Sequence, residues 1–253
     1  MFIKRFITGF LICMVVWIMP GISQANENLS ITYRYWLPNM DAKIGTAEIG
    51  GNHYEYIDAE ETFGLKEENI GDLQLSWQMD DRNQVRLGYL DTSFKGTGTP
   101  TGTIAGVIFT GGEIETKFSI ENIQAEWVKY LPSDVDHDTR FAVVGGIRSL
   151  RINATSEGLP ERNFNKVFPT IGFAVETGIG SPVSGFINFS GAYAGNKGYF
   201  YDADAGLKAY LDKKKNTSVT VGYRMLKINA DKNSDEKFDA KLTGPFFSAS
   251  VRF

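Results

Sequence analysis

The chain has 253 residues and a formal net charge of −4, from 26 basic against 30 acidic side chains. That length suits one domain, and a mildly acidic balance argues against nucleic acid as a partner. The single cysteine, Cys13, excludes a disulfide framework.

Lys4 and Arg5 are followed by a mostly apolar run, Phe6–Met19, which Pro20 and Gly21 break. Its length of about 14 residues and the small-x-small triplet Ser23-Gln24-Ala25 predict a signal peptide over residues 1–25, cleaved after Ala25. The run is too short for a spanning helix, which needs ~20 residues. Cys13 is not a lipoprotein cysteine, because the apolar run continues past it. Cleavage removes two bases and no acid, so residues 26–253 carry −6 and no cysteine. They form the second predicted unit. No other stretch approaches spanning-helix length, so any membrane crossing must be made by strands.

From Leu29 onward the residues alternate. Leu29, Ile31, Tyr33 and Tyr35 oppose Ser30, Thr32 and Arg34, and Leu73, Leu75, Trp77 and Met79 oppose Asp72, Gln74, Ser76 and Gln78. Further runs cover Gln84–Phe94, a segment ending near Tyr130, and Arg140 to about Ile152. Lys166–Thr177, Val183–Tyr193, Tyr199–Leu211, Thr217 to about Met225 and the C-terminal segment follow. Period-two alternation places one apolar and one polar face on each strand. Most runs have about the 9–11 residues a tilted strand needs to cross a bilayer. Short links (Asp80–Asn83, Pro132–Asp138, Ile179–Pro182, Asp212–Asn216) mostly alternate with longer ones at 37–70, 95–112, 153–165 and 231–238. Membrane barrels have short periplasmic turns and longer outer loops. The expectation is an all-β, antiparallel transmembrane barrel of ten strands, with eight or twelve as alternatives. Two loop hairpins are expected: Thr103–Phe109 with Glu113–Phe118 around Gly111-Gly112, and Ala42–Ile49 with Asn52–Ile57 around Gly50-Gly51. If the second enters the membrane, the strand count is twelve.

The last strand sets Pro245, Phe247, Ala249, Val251 and Phe253 against Phe246, Ser248, Ser250 and Arg252. This ending resembles the C-terminal signature of Gram-negative outer-membrane β-barrels, with Phe247, Val251 and Phe253 as the assembly signal. It departs from that signature at Ser248, where glycine is frequent, and at Phe246, where a polar residue is usual. Tyr33-Arg34-Tyr35-Trp36-Leu37-Pro38-Asn39-Met40, then Glu61-Thr62-Phe63-Gly64-Leu65, then Leu73–Tyr89, resemble an uncharacterised group of bacterial outer-membrane barrel proteins. The resemblance implies the outer membrane as location. It also implies lipids and lipopolysaccharide as surroundings, and the barrel-assembly machinery and periplasmic chaperones as partners in biogenesis. It carries over no catalytic or binding residue.

The polar face carries Arg34, Arg86, Glu126, Arg148, Glu176, Asp202, Asp204, Lys208, Arg224 and Arg252. Facing lipid, an Arg or Lys would cost about 2–4 kcal/mol near the midplane, so these residues are assigned to the lumen. A lumen of this size is largely filled by side chains, which predicts an ionic network there; a narrow conducting path is the competing expectation. Gly172 and Gly206 on the same face read as strand bends.

Catalysis has weaker support. A ten-stranded barrel is similar in strand number to the omptin proteases, and other barrels of this membrane are lipid A-modifying hydrolases. Those need a histidine with a carboxylate or serine at the outer rim. His137 falls in a short turn, on the wrong side, and His53 stands near Glu55 and Asp58 with no surrounding motif. Asp134, Asp136 and Asp138, and Asp231, Asn233 and Asp235, have calcium-like spacing. They lack the glycine at the sixth position and the glutamate at the twelfth. No metal and no cofactor are expected. The function expected is that of a non-enzymatic barrel, structural, loop-binding or a narrow passive channel, with an outer-membrane hydrolase as the alternative.

Overall fold

The computed structural model describes residues 28–253 apart from 48–53, 67, 105–106, 133–137, 159–160, 194, 196–197 and 233–235. The predicted leader lies outside these residues. Ten antiparallel strands close on themselves: β1 (Leu29–Trp36), β4 (Ile70–Gln78), β5 (Asn83–Gly98), β8 (Ile114–Tyr130), β9 (Thr139–Ser156), β10 (Arg162–Thr177), β11 (Val183–Tyr193), β12 (Gly198–Tyr210), β13 (Thr217–Lys232) and β14 (Glu236–Arg252). Closure is made by β14 on β1, with Tyr33 opposite Ala249 and Tyr35 opposite Phe247. The Phe253 amide donates to the Leu29 carbonyl at 2.7 Å.

The remaining elements build the end opposite the short turns. β2 (Asn39–Ala47) pairs with the first half of β14 and with β3 (Tyr54–Asp58). β1 and β2 thus share one position along β14, interrupted at Leu37-Pro38, where the Leu37 amide still donates to the Pro245 carbonyl at 3.0 Å. A Cβ on Gly244 would lie 2.0 Å from the Leu37 carbonyl oxygen, so only glycine admits the crossing. β4 begins at Ile70, leaving the far half of β5 without it. That gap in the wall is covered by α1 (Ala59–Phe63) and Leu65. Asp58 caps α1, its Oδ1 accepting the Glu60 and Glu61 amides at 2.9 and 3.0 Å, and Leu65 bridges to Gly96.

The expected Ala42–Ile57 hairpin is therefore present as β2–β3, stacked on β14, and it adds no strand to the ring. The barrel has ten strands. The Gly50-Gly51 turn lies outside the described residues. The hairpin expected around Gly111-Gly112 does not form. Thr101–Ile104 (β6) pairs with Val107–Thr110 (β7), while Ile114 pairs with Gly98 at the end of the long β5–β8 ladder. A local glycine turn loses to a ladder with many more hydrogen bonds. The link expected at 231–238 is mostly strand, with Asp231 opposite Lys237.

The longest strands have 16–18 residues, well beyond the expected span. The excess has a reversed pattern. On β8 the outward positions read Glu115, Lys117, Ser119, Glu121, and then Ile123, Ala125, Trp127. The inward ones read Ile114, Thr116, Phe118, Ile120, and then Asn122, Gln124, Glu126. On β9, Phe141, Val143 and Ile147 face out around buried Arg148, whereas Leu150 and Ile152 face in beneath Ser149 and Arg151. β5 switches after Tyr89 and β13 after Met225. Strand parity never slips; only the solvent outside changes. The turn-side half is lipid-type, apolar outside and mostly polar inside, with a small buried apolar cluster of Val128, Tyr130, Ala142, Val144 and Ala174. The far half is built like a water-soluble protein. Its core joins Phe94, Phe118, Ile120, Leu150, Phe168, Leu226, Leu242 and the α1 residue Phe63.

Candidate functional site

The lumen changes character at the same level. Directly below the apolar core lies a layer of three arginines and four carboxylates. Arg224 holds Asp202 with two nearly parallel bonds, Nε to Oδ1 at 2.9 Å and Nη2 to Oδ2 at 2.8 Å, and reaches Asp72 with Nη1. Such a bidentate pair is the strongest common side-chain ion pair. Arg148 meets Asp202 at 3.0 Å and Glu126 at 3.7 Å, with Gln124 and Ser190 as further acceptors. Arg34 lies 3.2 Å from Asp204 and 3.6 Å from Asp72, and Asn188 donates to Asp204 at 2.7 Å.

Strand register explains the convergence. Arg34 stands opposite Asp72, Asp204 opposite Arg224, and Gln124 opposite Arg148. Closing the sheet brings β1, β4, β8, β9, β12 and β13 to one level inside it. The three guanidinium groups are also capped by rings: Arg34 on Phe246 at 4.6 Å, Arg148 on Phe200 at 4.7 Å and Arg224 on Trp36 at 4.8 Å. The unusual inward aromatic at Phe246 is thus the plate on which Arg34 rests. Trp36 is held in turn by its indole nitrogen donating to the Gly244 carbonyl at 3.1 Å. Arg148 is 2 % exposed and Arg224 3 %.

Nearer the turns, Glu176 gathers a second group. Arg140 donates to it at 2.7 Å and Lys208 at 3.3 Å, with the Ser184 and Tyr210 hydroxyls at 3.4 and 3.5 Å. Sequence reasoning placed Arg34, Glu126, Arg148, Glu176, Asp202, Asp204, Lys208 and Arg224 in the lumen, and the structure joins all eight in ion pairs. It missed Asp72 and Arg140, although Asp72 was read on the polar face of its strand. Two expected members do not join: Arg86 donates only to Gln84, at 2.7 Å, and Arg252 makes no ion pair among the described residues. Glu126 stands opposite Arg86 in register but turns to Arg148, and Arg252 stands opposite Ser30 at the turn end.

Phe247 faces outward, half exposed to the lipid-type surface. Val251 sits between Ile31 and Thr217, and Phe253 is tied to Leu29. His53, His137, Asp134, Asp136, Asn233 and Asp235 lie outside the described residues. Asp138 is a turn acceptor, receiving the Gly180 amide at 3.3 Å. Among the described residues no trio of His, Cys, Asp or Glu could hold a metal ion. Chemically the layer is a set of buried, paired charges, three bases against four acids, that ties six strands together inside the barrel.

The sequence matches no family model and no curated protein. Similar solved structures are bacterial outer-membrane barrels. The outer membrane protease OmpT from Escherichia coli aligns with a TM-score of 0.58 at 10 % identity, over 89 % of this chain and 97 % of that one. The translocator domain of the autotransporter NalP from Neisseria meningitidis gives 0.43 at 8 % identity, over 97 % and 96 %. Neisserial surface protein A gives 0.36 at 10 %, over 89 % and 97 %. At such identities the likeness speaks of fold alone.

Proposed function

We propose that this chain is a non-enzymatic barrel of the outer membrane, with a closed lumen, that acts through the wall and loops it raises beyond the membrane. The observation carrying this reading is the apolar core stacked on the ionic layer. Phe94, Phe118, Ile120, Leu150, Leu226 and Leu242, all at most 2 % exposed, fill the far half of the lumen where a conducting path would have to pass. Side-chain packing of this kind is a seal. Beyond the outward switch, β8 continues for nine residues from Ile123 to Ile114, roughly 30 Å of strand at 3.3 Å per residue. Such a rigid platform suits the presentation of loops to a partner.

The chemistry also disfavours hydrolysis. The described lumen carboxylates Asp72, Asp202, Asp204, Glu126 and Glu176 are all engaged by arginine, so none stands ready as a general base. The test is conductance in planar bilayers. Folded protein should add no stepwise current above the lipid background. Discrete, reproducible openings in the wild type would replace the closed reading with the narrow channel.

A further inference from the structure

We propose that the turn end of the lumen binds a small, multiply charged oxyanion, with Arg86 and Arg252 as its cationic sides and Ser30 and Ser76 as its floor. All four line one cavity of about 340 Å³, whose boundary is almost wholly polar.

Register places them in a single row. Arg86 is opposite Ser76, Ser76 is opposite Ser30, and Ser30 is opposite Arg252. Three inter-strand steps of about 4.8 Å separate the two arginines by roughly 14 Å along the wall. Both side chains line the one cavity across that span. The residues between them are serines, short enough to leave room and able to donate hydroxyl protons.

The rest of the barrel supplies the contrast. Every arginine of the deep layer has a carboxylate within 4 Å, and Glu176 pairs with both Arg140 and Lys208. Arg86 uses Nε on Gln84, leaving both terminal nitrogens without a partner among the described residues, and Arg252 has none there at all. One further carboxylate, the exposed Asp81 of the first turn, lines the cavity, and it makes no ion pair among the described residues. The lining therefore carries five bases, Lys215 included, against two acids, a surplus of three positive charges in a small concave space. Walls of low dielectric focus that field and concentrate anions. Two guanidinium groups lining one small cavity match an anion with several oxygens and more than one charge, as in a phosphate group. The site is open at the turns and closed beyond by the ionic layer, so it binds without passing its ligand on.

The probe is inorganic phosphate, titrated calorimetrically into the full folded protein in detergent micelles at constant ionic strength set with chloride. Saturable binding is expected, with acetate, singly charged, markedly weaker. Arg86→Gln and Arg252→Gln should each weaken phosphate tenfold or more, the scale of losing one charge-assisted partner. Arg151→Gln, on the outer wall and paired with Glu121, should leave it unchanged. Arg252 is next to the terminal aromatic, so heat-modifiable migration on a gel must show folded protein. If Arg252→Gln does not fold, Arg86→Gln decides alone. No saturable binding, equal affinity for acetate, or unaltered binding in Arg86→Gln would each overturn the site. None of these outcomes bears on conductance, so the closed-lumen reading is tested separately.

Discussion

Replacing Arg224 with methionine should destabilise the barrel by about 3–5 kcal/mol, the cost of stranding buried partners of an ion pair. Methionine keeps most of the side-chain volume, so the packing over Trp36 survives and the loss is mainly electrostatic. The layer has three arginines and four carboxylates; without Arg224 it has two against four. Asp202 loses its bidentate partner and Asp72 one of two. Asp202, which is buried, keeps only Arg148, and the apolar core closes the lumen on one side. The matched control is Arg252→Met at the open turn end, where the change should stay within about 1 kcal/mol. The measurement is reversible urea unfolding in lipid vesicles, followed by tryptophan fluorescence and by heat-modifiable migration. A loss below about 1 kcal/mol for Arg224→Met, or one no larger than the control's, would refute the picture of a dry, coupled layer. A compensated double variant, Arg224→Met with Asp202→Leu, restores the original excess of one carboxylate, leaves Arg148 on Glu126 and should recover much of the loss, since apolar replacement of buried ions is frequently neutral.

Three further outcomes are expected. Cysteines at Asn83 and Lys214 should resist an impermeant maleimide on intact cells while one at Thr101 reacts; the opposite result would invert the topology. Removing Phe253, whose backbone bonds Leu29 in both directions, should lower the yield of folded, membrane-inserted protein and leave export intact; an unchanged yield would make the terminal aromatic incidental. Asp80 is held below the usual carboxylate range, chiefly by the Asn83 side chain and also by the Arg82 and Asn83 amides, and Asp212 by the Asn216 and Thr217 amides. Groups with depressed values contribute stability above their unfolded pKa and lose it as pH falls through the folded one. The turns at Asp80 and Asp212 should therefore loosen only in acid, below about pH 4. Amide exchange at Asn83 and Thr217 would reveal it, and Asp80→Asn should flatten the effect at Asn83.

The lipid-type half was legible because one rule, alternation with period two, governs every strand there. Leu73, Trp77, Val85, Leu87, Trp127, Ile171 and Val221 all announced their faces. The far half obeys the same parity with the faces exchanged, so a search for apolar-out alternation ends at Tyr89 or Met225, though the strands continue. The signal was present: Phe94 and Leu90 have the opposite parity to Leu87 and Tyr89. Which charges meet was not legible. Arg224 and Asp72 are 152 positions apart and are joined by the stagger of ten tilted strands, which no local pattern encodes. Arg86 and Arg252 had the same sequence credentials as Arg148 and differ only in depth. Gly111-Gly112 misled for the complementary reason: a strong local turn signal was outcompeted by long-range pairing.

The ring closes between Leu29 and Phe253, and Thr32 donates to Ser250 across 218 positions at the same seam. β14 is the partner of β13 on one side and of both β1 and β2 on the other. Every earlier strand pair can form from near neighbours, but the seam cannot form until the final strand is available. Contacts this distant in sequence are the slowest to form. Until then the chain has two exposed edges, β1 and whichever strand was laid down last, each able to pair with another copy. Aggregation during that interval therefore competes with closure for the same hydrogen bonds. The fraction of chains that survive depends on how quickly the two ends meet, more than on how stable the finished barrel is.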